Sequence, residues 1–320
     1  MTDNTPMERV LTLEIVRACE QAAIAAADWI GRGDNKAADA AAVEAMRNAF
    51  NKIDMDGTVV IGEGERDEAP MLYIGEKVGT GKGEAIDIAL DPLEGTTITA
   101  KGSTDALAVV AFARKGNLLN APDTYMEKIA VGPGLPEGII DLDKTSAENA
   151  QAIADAKGVD IKDITCCVLD RPRHSQIIDD LRAAGCRVKL IPDGDVAGAM
   201  QSAMPGTGVD FYMGTGGAPE GVLAAAGLRC LGGQFQGRLV FRNDDERARA
   251  AKWGITDLNR KYNRDDLASG DVIFAATGVT NGVWVRGVEK SEFGGLRTET
   301  LVMRSHTKTI RRIATDHSAE

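Results

Sequence analysis

Ile86-Asp-Ile-Ala-Leu-Asp91-Pro-Leu-Glu94-Gly95-Thr96 reads as a buried-type strand that ends in two acids, a glycine and a hydroxyl. Two carboxylates ~4 Å apart repel by about 4 kcal/mol at an effective dielectric near 20, so such a cluster calls for a cation or extra protons. A metal ion is the simpler answer. Pro92 fixes the turn, Gly95 lets a backbone N–H approach a ligand, and Thr96 sets a hydroxyl where a helix or loop begins. An Asp-Pro turn with a cap is the plainer reading of the same letters.

Upstream, Thr58-Val-Val-Ile-Gly-Glu63-Gly-Glu65-Arg-Asp67-Glu68 repeats the logic, a strand running into four acids within six residues. Alone, that run reads as a solvated surface. Two such strand ends in one domain favour a site: neighbouring strands that end together put Glu63 and Asp91 at one sheet edge, where open α/β sheets place ligands. No histidine is near in sequence, so the donors are all oxygen, which selects Mg²⁺ or Mn²⁺ over zinc.

Further out, Tyr212-Met-Gly214-Thr-Gly216-Gly217-Ala-Pro219-Glu220-Gly221 closes a strand with glycines and opens a helix with proline in its first turn, bringing Glu220 within reach of the same cation cluster. An ordinary strand-to-helix turn would look similar. Arg171-Pro-Arg173-His174 follows another strand and suits a phosphate, or a plain helix entry. Pro192-Asp193-Gly194-Asp195 is a turn whose acids can accept from sugar hydroxyls. Cys166 and Cys167 fall mid-strand and read as packing, and His306 and His317 have no acidic partner pattern.

Around these motifs, apolar spacing predicts helices over 8–30, halted by Gly31 and Gly33, and over 38–51, with Asp39 in the first turn. Strands are expected at 58–62, 85–90 and 106–114. From Ile164 the rhythm becomes strand, helix, strand, the mark of parallel βαβ units. The stretch 298–315 looks like closing strands whose sheet is open. The expected fold class is α/β in two lobes with the active site between them: a metal-binding α+β lobe over 1–155 and a sugar-phosphate-binding α/β lobe over 156–320.

The chain has 320 residues, and its 48 acids against 37 bases give a formal charge of -11, which disfavours nucleic-acid binding. Its longest strictly apolar run, Ala106 to Ala113, is far below the ~20 residues that cross a bilayer. The N-terminus has no export-signal pattern, and five cysteines without a CxxC beside three histidines suit a reduced, cytoplasmic protein without structural zinc.

Seven ordered motifs carry a resemblance over nearly the whole chain: Gly31-Arg-Gly-Asp ahead of Asp39, Ile61-Gly-Glu63-Gly-Glu-Arg-Asp67-Glu-Ala-Pro, Asp91-Pro-Leu-Glu94-Gly95-Thr96, Leu119-Asn-Ala-Pro-Asp-Thr-Tyr125-Met-Glu-Lys, Arg171-Pro-Arg173-His, Ile191-Pro-Asp-Gly-Asp195 and Gly216-Gly-Ala-Pro-Glu220-Gly, with Thr309-Ile-Arg-Arg-Ile at the end. The sequence resembles the class II fructose-1,6-bisphosphatases, a bacterial family related to lithium-sensitive phosphatases such as inositol monophosphatase. The resemblance implies a layered sugar-phosphatase fold, a homo-oligomer (dimer or tetramer), and Mn²⁺- or Mg²⁺-dependent removal of the 1-phosphate, in gluconeogenesis or the Calvin cycle. It implies one metal site on Asp39 and Glu63 and another on Asp91, Glu94 and Glu220. Substrate contacts would fall on Glu94, Gly95, Thr96, Tyr125, Arg171, Arg173, Asp193, Gly194, Asp195 and Gly217, with Thr96 and Asp67 as catalytic candidates. The family often has Lys then Asn before its first metal acid, where this chain has Asn35-Lys36. Sedoheptulose-1,7-bisphosphate, inositol phosphates and a non-catalytic sugar-phosphate sensor are the rival readings.

Overall fold

The structure is a computed structural model that describes residues 7–64 and 70–318. The chain begins with α1 (Leu11–Ala27), α2 (Asn35–Phe50), β1 (Asp56–Ile61), β2 (Lys77–Val78), β3 (Ala85–Glu94), α3 (Thr96–Lys101) and β4 (Leu107–Arg114). It continues through β5 (Tyr125–Val131), α4 (Ser146–Lys157), β6 (Thr165–Leu169), α5 (Ser175–Ala183), β7 (Arg187–Ile191), α6 (Asp195–Gln201), β8 (Phe211–Gly217), α7 (Ala218–Leu231), β9 (Gln234–Val240), α8 (Asp244–Lys252), β10 (Lys261–Asn263) and α9 (Arg264–Leu267). It closes with β11 (Val272–Gly278), β12 (Glu289–Lys290), β13 (Leu296–Arg304) and β14 (Thr309–His317).

This is a mixed α/β protein with two sheets. One compact unit comprises Met1–Leu119 with Ser269–Glu320, and the other Asn120–Ala268. In the first, strands run in the order β12-β13-β11-β4-β3-β1-β2, with β14 beside β13. In the second the order is β10-β9-β5-β8-β6-β7.

The division expected at 155/156 is therefore replaced by boundaries at 119/120 and 268/269. The reason is long-range pairing: β11 lies between β4 and β13, antiparallel to both, so the last fifty residues return to the first sheet. A local rhythm of strands and helices carries no record of such pairing. The closing strands expected over 298–315 are the β13–β14 hairpin of that sheet.

In the first unit, α1 follows the expected spacing. Leu11, Ile15, Cys19, Ala22, Ala23 and Ala26 are buried in one cluster with Ala108, Val110 and Phe112 of β4 and Ile273 and Ala275 of β11. The alanines let the helix backbone come close: the Cys19 Sγ reaches the Ala275 carbonyl at 3.8 Å. Helix α2 starts where the Asp34 carboxylate accepts from the Ala37 N–H at 3.0 Å. It ends on Phe50, whose ring centroid is 5.9 Å from that of Phe112.

In the second unit, β6 runs parallel to β7 and to β8, as the rhythm predicts. The other side of β8 departs from it: β5 is antiparallel to β8, and β9 antiparallel to β5. Cys166 and Cys167 are both fully buried in β6, as packing residues should be. Among the described residues no helix is long and apolar enough to cross a membrane.

Candidate active site

The acids of the first unit are set by strand register. Strand β1 is parallel to β3 with Ile61 opposite Ala89, so Glu63 and Asp91, each two residues further on, come at the same end of the two strands. Asp91 and Glu94 are three residues apart, a spacing that in a regular strand points side chains to opposite faces. Here Asp91 pairs with Val109 and Glu94 with Leu107, three steps on β3 against two on β4. That one-residue bulge, at a proline that cannot donate to the ladder, turns both carboxylates to one face. The Asp91 Oδ1 accepts from the Leu93 N–H at 3.1 Å, and Glu94 is buried.

Gly95 follows with φ +93°, a left-handed conformation that favours glycine, and caps α3, whose first residue is Thr96. Two backbone bonds tie this helix to the loop that delivers Asp39: Gly31 N–H to the Thr99 carbonyl and Gly33 N–H to the Ala100 carbonyl, both 2.9 Å. Burial pushes the Asp39 carboxyl above the ordinary carboxylate range. Asn35 and Lys36 are exposed in the first turn of the same helix. The segment after β1 is pinned where Glu63 N–H donates to the Leu72 carbonyl at 3.1 Å and Ile74 N–H to the Gly64 carbonyl at 2.9 Å. Buried Glu76 accepts from the Leu72 N–H and from Arg47 Nε of α2 at 2.6 Å. Asp67 lies outside the described residues.

The second unit gathers the other expected residues. Lys128, 1% exposed, donates to the Asp195 Oδ2 at 2.5 Å, a buried ion pair between β5 and the first turn of α6. Glu220 stands in the first turn of α7, after Gly217 and with proline at the helix start as expected. Burial first, then Asp195, pushes its carboxyl up, and Lys128 opposes them. Its Oε2 is shielded from solvent and has no hydrogen-bond partner among the described residues. The glycines here are needed for space: a Cβ on Gly216 would sit 1.8 Å from the Asp195 Oδ2, and one on Gly217 1.9 Å from the Glu220 Oε2.

Arg171 pairs loosely with Asp193 at 3.4 Å, and burial raises the Asp193 carboxyl while Arg171 lowers it. Arg173 Nε donates to the Thr215 carbonyl at 2.9 Å, and its guanidinium lies 5.1 Å from the Tyr125 ring centroid. Between these residues His174 is fully buried. Its Nδ1 faces the Leu169 carbonyl at 2.8 Å and its Nε2 accepts from the Thr215 N–H at 2.8 Å. Only the neutral tautomer protonated on Nδ1 serves both, and burial accordingly lowers its pKa.

The structure thus places Asp39, Glu63, Asp91, Glu94, Gly95 and Thr96 in the first unit, and Tyr125, Arg171, Arg173, Asp193, Gly194, Asp195, Gly217 and Glu220 in the second. Sequence reasoning gave no role to Lys128, His174 or Arg242. His174 was within a quoted motif. Lys128 is the one basic residue of β5 and is buried together with the apolar Ile129, Ala130 and Val131 that follow it, which is a signal in itself.

Among the described residues no three His, Cys, Asp or Glu side chains stand at ligand spacing. The chemistry of each unit by itself suits a divalent ion: strand-end acids with oxygen donors in the first, and in the second a shielded Glu220 oxygen with no hydrogen-bond partner among the described residues.

Residues 9–317 match the family model described as bacterial fructose-1,6-bisphosphatase, glpX-encoded. Fructose-1,6-bisphosphatase 1 class 2 of Escherichia coli (strain K12) is 48% identical over 326 aligned positions, covering 97% of this chain and 96% of that protein. The D-fructose 1,6-bisphosphatase class 2/sedoheptulose 1,7-bisphosphatase of Synechococcus sp. (strain JA-3-3Ab) is 47% identical over 336, again covering 97% and 96%.

Proposed function

The chain belongs to the family of bacterial glpX-encoded fructose-1,6-bisphosphatases, and from that premise we propose that it hydrolyses the 1-phosphate of fructose-1,6-bisphosphate to fructose 6-phosphate and inorganic phosphate. The observation that carries the reading is the β3 bulge, which aims Asp91 and Glu94 from one face directly ahead of Gly95 and Thr96. A fold alone has no need of two carboxylates so aligned.

The reaction is that of a metal-dependent phosphatase, and the ion we assign is Mn²⁺ or Mg²⁺. Asp39 and Glu63 would hold one ion, and Asp91, Glu94 and Glu220 another. A bound ion supplies positive charge to the phosphoryl group and acidity to water. The protein's own part is positioning. Thr96, fixed at the start of α3, donates to a phosphoryl oxygen and orients the attacking water, and Asp67 takes that water's proton. Arg171, Arg173 and Tyr125 hold the phosphate that is not cleaved, so that binding energy far from the ester is used to orient it. Asp193, Gly194 and Asp195 meet the sugar hydroxyls. Lys128 holds the Asp195 carboxylate in place, and His174 accepts from the N–H of Thr215, the residue whose carbonyl Arg173 grips. Glu94, Gly95 and Gly217 complete the substrate contacts.

The test is phosphate release from fructose-1,6-bisphosphate with Mn²⁺, Mg²⁺ or chelator, on the wild type beside Asp91→Asn. Metal-dependent release that the variant loses by about a thousandfold or more is expected. No release from folded wild type with either metal would sink the assignment. Sedoheptulose-1,7-bisphosphate is a second substrate to compare, because the Synechococcus relative's name includes it. We assign the protein to the cytoplasm as a homo-oligomer, dimer or tetramer, without nucleic-acid or membrane partners. Five free, buried cysteines support a reducing compartment.

A further inference from the structure

Tyr125 is flanked by two guanidiniums. The Cζ of Arg173 is 5.1 Å from its ring centroid and that of Arg242 is 4.7 Å, which places the two cations within about 10 Å of each other. The register explains the meeting: Tyr125 of β5 pairs with Gly217 on one side and with Val240 on the other, and Arg242 follows Val240 by two residues.

Arg242 is held by a built support. Its Nε and Nη2 reach the Glu246 Oε1 at 2.6 and 2.5 Å, and its backbone N–H donates to the Oε2 at 2.7 Å. Glu246 is fully buried in the first turn of α8, and its Oε2 also accepts from the Thr124 hydroxyl at 2.9 Å. Despite this anchoring the Arg242 side chain stays 54% exposed. Arg173, by contrast, has no carboxylate partner among the described residues. At this ring Glu246 is the carboxylate hydrogen-bonded to Arg242, Asp123 also lies within electrostatic reach of it, and the Arg242 side chain still faces solvent.

Resting on the reading above, we propose that Arg242 is a substrate-contacting, specificity-determining residue: with Arg173, across Tyr125, it binds the phosphate remote from the scissile ester and sets the preference for bisphosphates over monophosphates. Glu246 is the positioning residue that holds it. The planar fork of Arg242, oriented from one edge by Glu246, presents its other edge to phosphate oxygens.

The experiment compares wild type, Arg242→Gln and Arg242→Lys with fructose-1,6-bisphosphate and fructose 1-phosphate as substrates in Mn²⁺, and measures fructose 6-phosphate binding by calorimetry. Arg242→Gln should raise KM for the bisphosphate about tenfold or more with kcat nearly unchanged. It should weaken fructose 6-phosphate by a similar factor and shift kcat/KM for fructose 1-phosphate less than about twofold. Arg242→Lys, which keeps the charge beside Glu246 but loses the fork, should fall between and carries the test if the glutamine variant does not fold. An equal loss on both substrates, or none on either, would overturn the proposal by reducing Arg242 to a buttress for Tyr125. If the wild type releases no phosphate yet binds fructose 6-phosphate in an Arg242-dependent way, the proposed reaction falls and this inference stands.

Discussion

Both units place their chemistry at strand ends, but they treat charge differently. In the first, a bulge in β3 and the parallel β1 set Glu63, Asp91 and Glu94 at one end of one sheet, and Asp39 stands in α2. In the second, acids come with bases: Asp195 with Lys128, Asp193 with Arg171, Glu246 with Arg242. The side chains of the second end are held by those ion pairs. On the function proposed above, the difference suits metal holding in the first unit and phosphate and sugar recognition in the second, with Glu220 the exception.

The sharpest break of that contrast would come from Thr96. Thr96→Ala should lower kcat by about two to four orders of magnitude with little change in KM, whereas loss of a recognition residue should act on KM. An unchanged kcat in steady-state assays would remove Thr96 from the mechanism. Next comes Lys128. Replacing it with Met strands the buried Asp195 carboxylate, and urea unfolding should show a loss of roughly 3–5 kcal/mol, part of which returns in the Lys128→Met, Asp195→Asn double variant. Additive effects in that cycle would mean the pair is not a unit.

His174 provides a pH test of smaller size. Its folded-state pKa is lowered by burial, so the native protein holds it neutral. Its contribution is complete above the ordinary histidine value of ~6.5 and is lost as pH falls through the lower folded value. Thermal unfolding of the wild type should therefore steepen in its decline on the acid side, and His174→Gln should flatten that slope while costing about 1–3 kcal/mol at pH 7.5. Parallel slopes would exclude the imidazole as the cause. The smallest effect expected is at Gly217. Gly217→Ala sets a methyl against the Glu220 carboxylate and should raise the Mn²⁺ concentration for half-maximal activity about threefold to tenfold. No change would free Glu220 from metal binding.

The acidic end was legible because its residues are neighbours in sequence: Asp91, Glu94, Gly95 and Thr96 form one phrase, and Pro92 marked the irregularity that aligns them. The recognition end was legible only in pieces. Lys128 meets Asp195 across 67 positions, and Arg242 meets Tyr125 across a strand pairing that no local pattern encodes. The role of His174 is carried by two backbone groups, Leu169 and Thr215, a partnership that no sequence pattern encodes. Spacing revealed α1, α2, β1, β3 and β4 of the first unit and the β6 to α7 run of the second, but not β5, β9 or β11, nor the unit boundaries fixed by β11 between β4 and β13.

That interleaved pairing has a consequence during synthesis. The ribosome delivers β4, then all of Asn120–Ala268, before β11 exists to cover the β4 edge. At ~5–20 residues per second the wait is roughly ten to thirty seconds, and through it β4, apolar from Leu107 to Ala113, stays an open template for other strands. The inserted unit is contiguous and can fold as it emerges, while the enclosing unit must finish last. A nascent chain halted after residue 268 would hold all of the inserted unit yet lack the strand that covers the β4 edge.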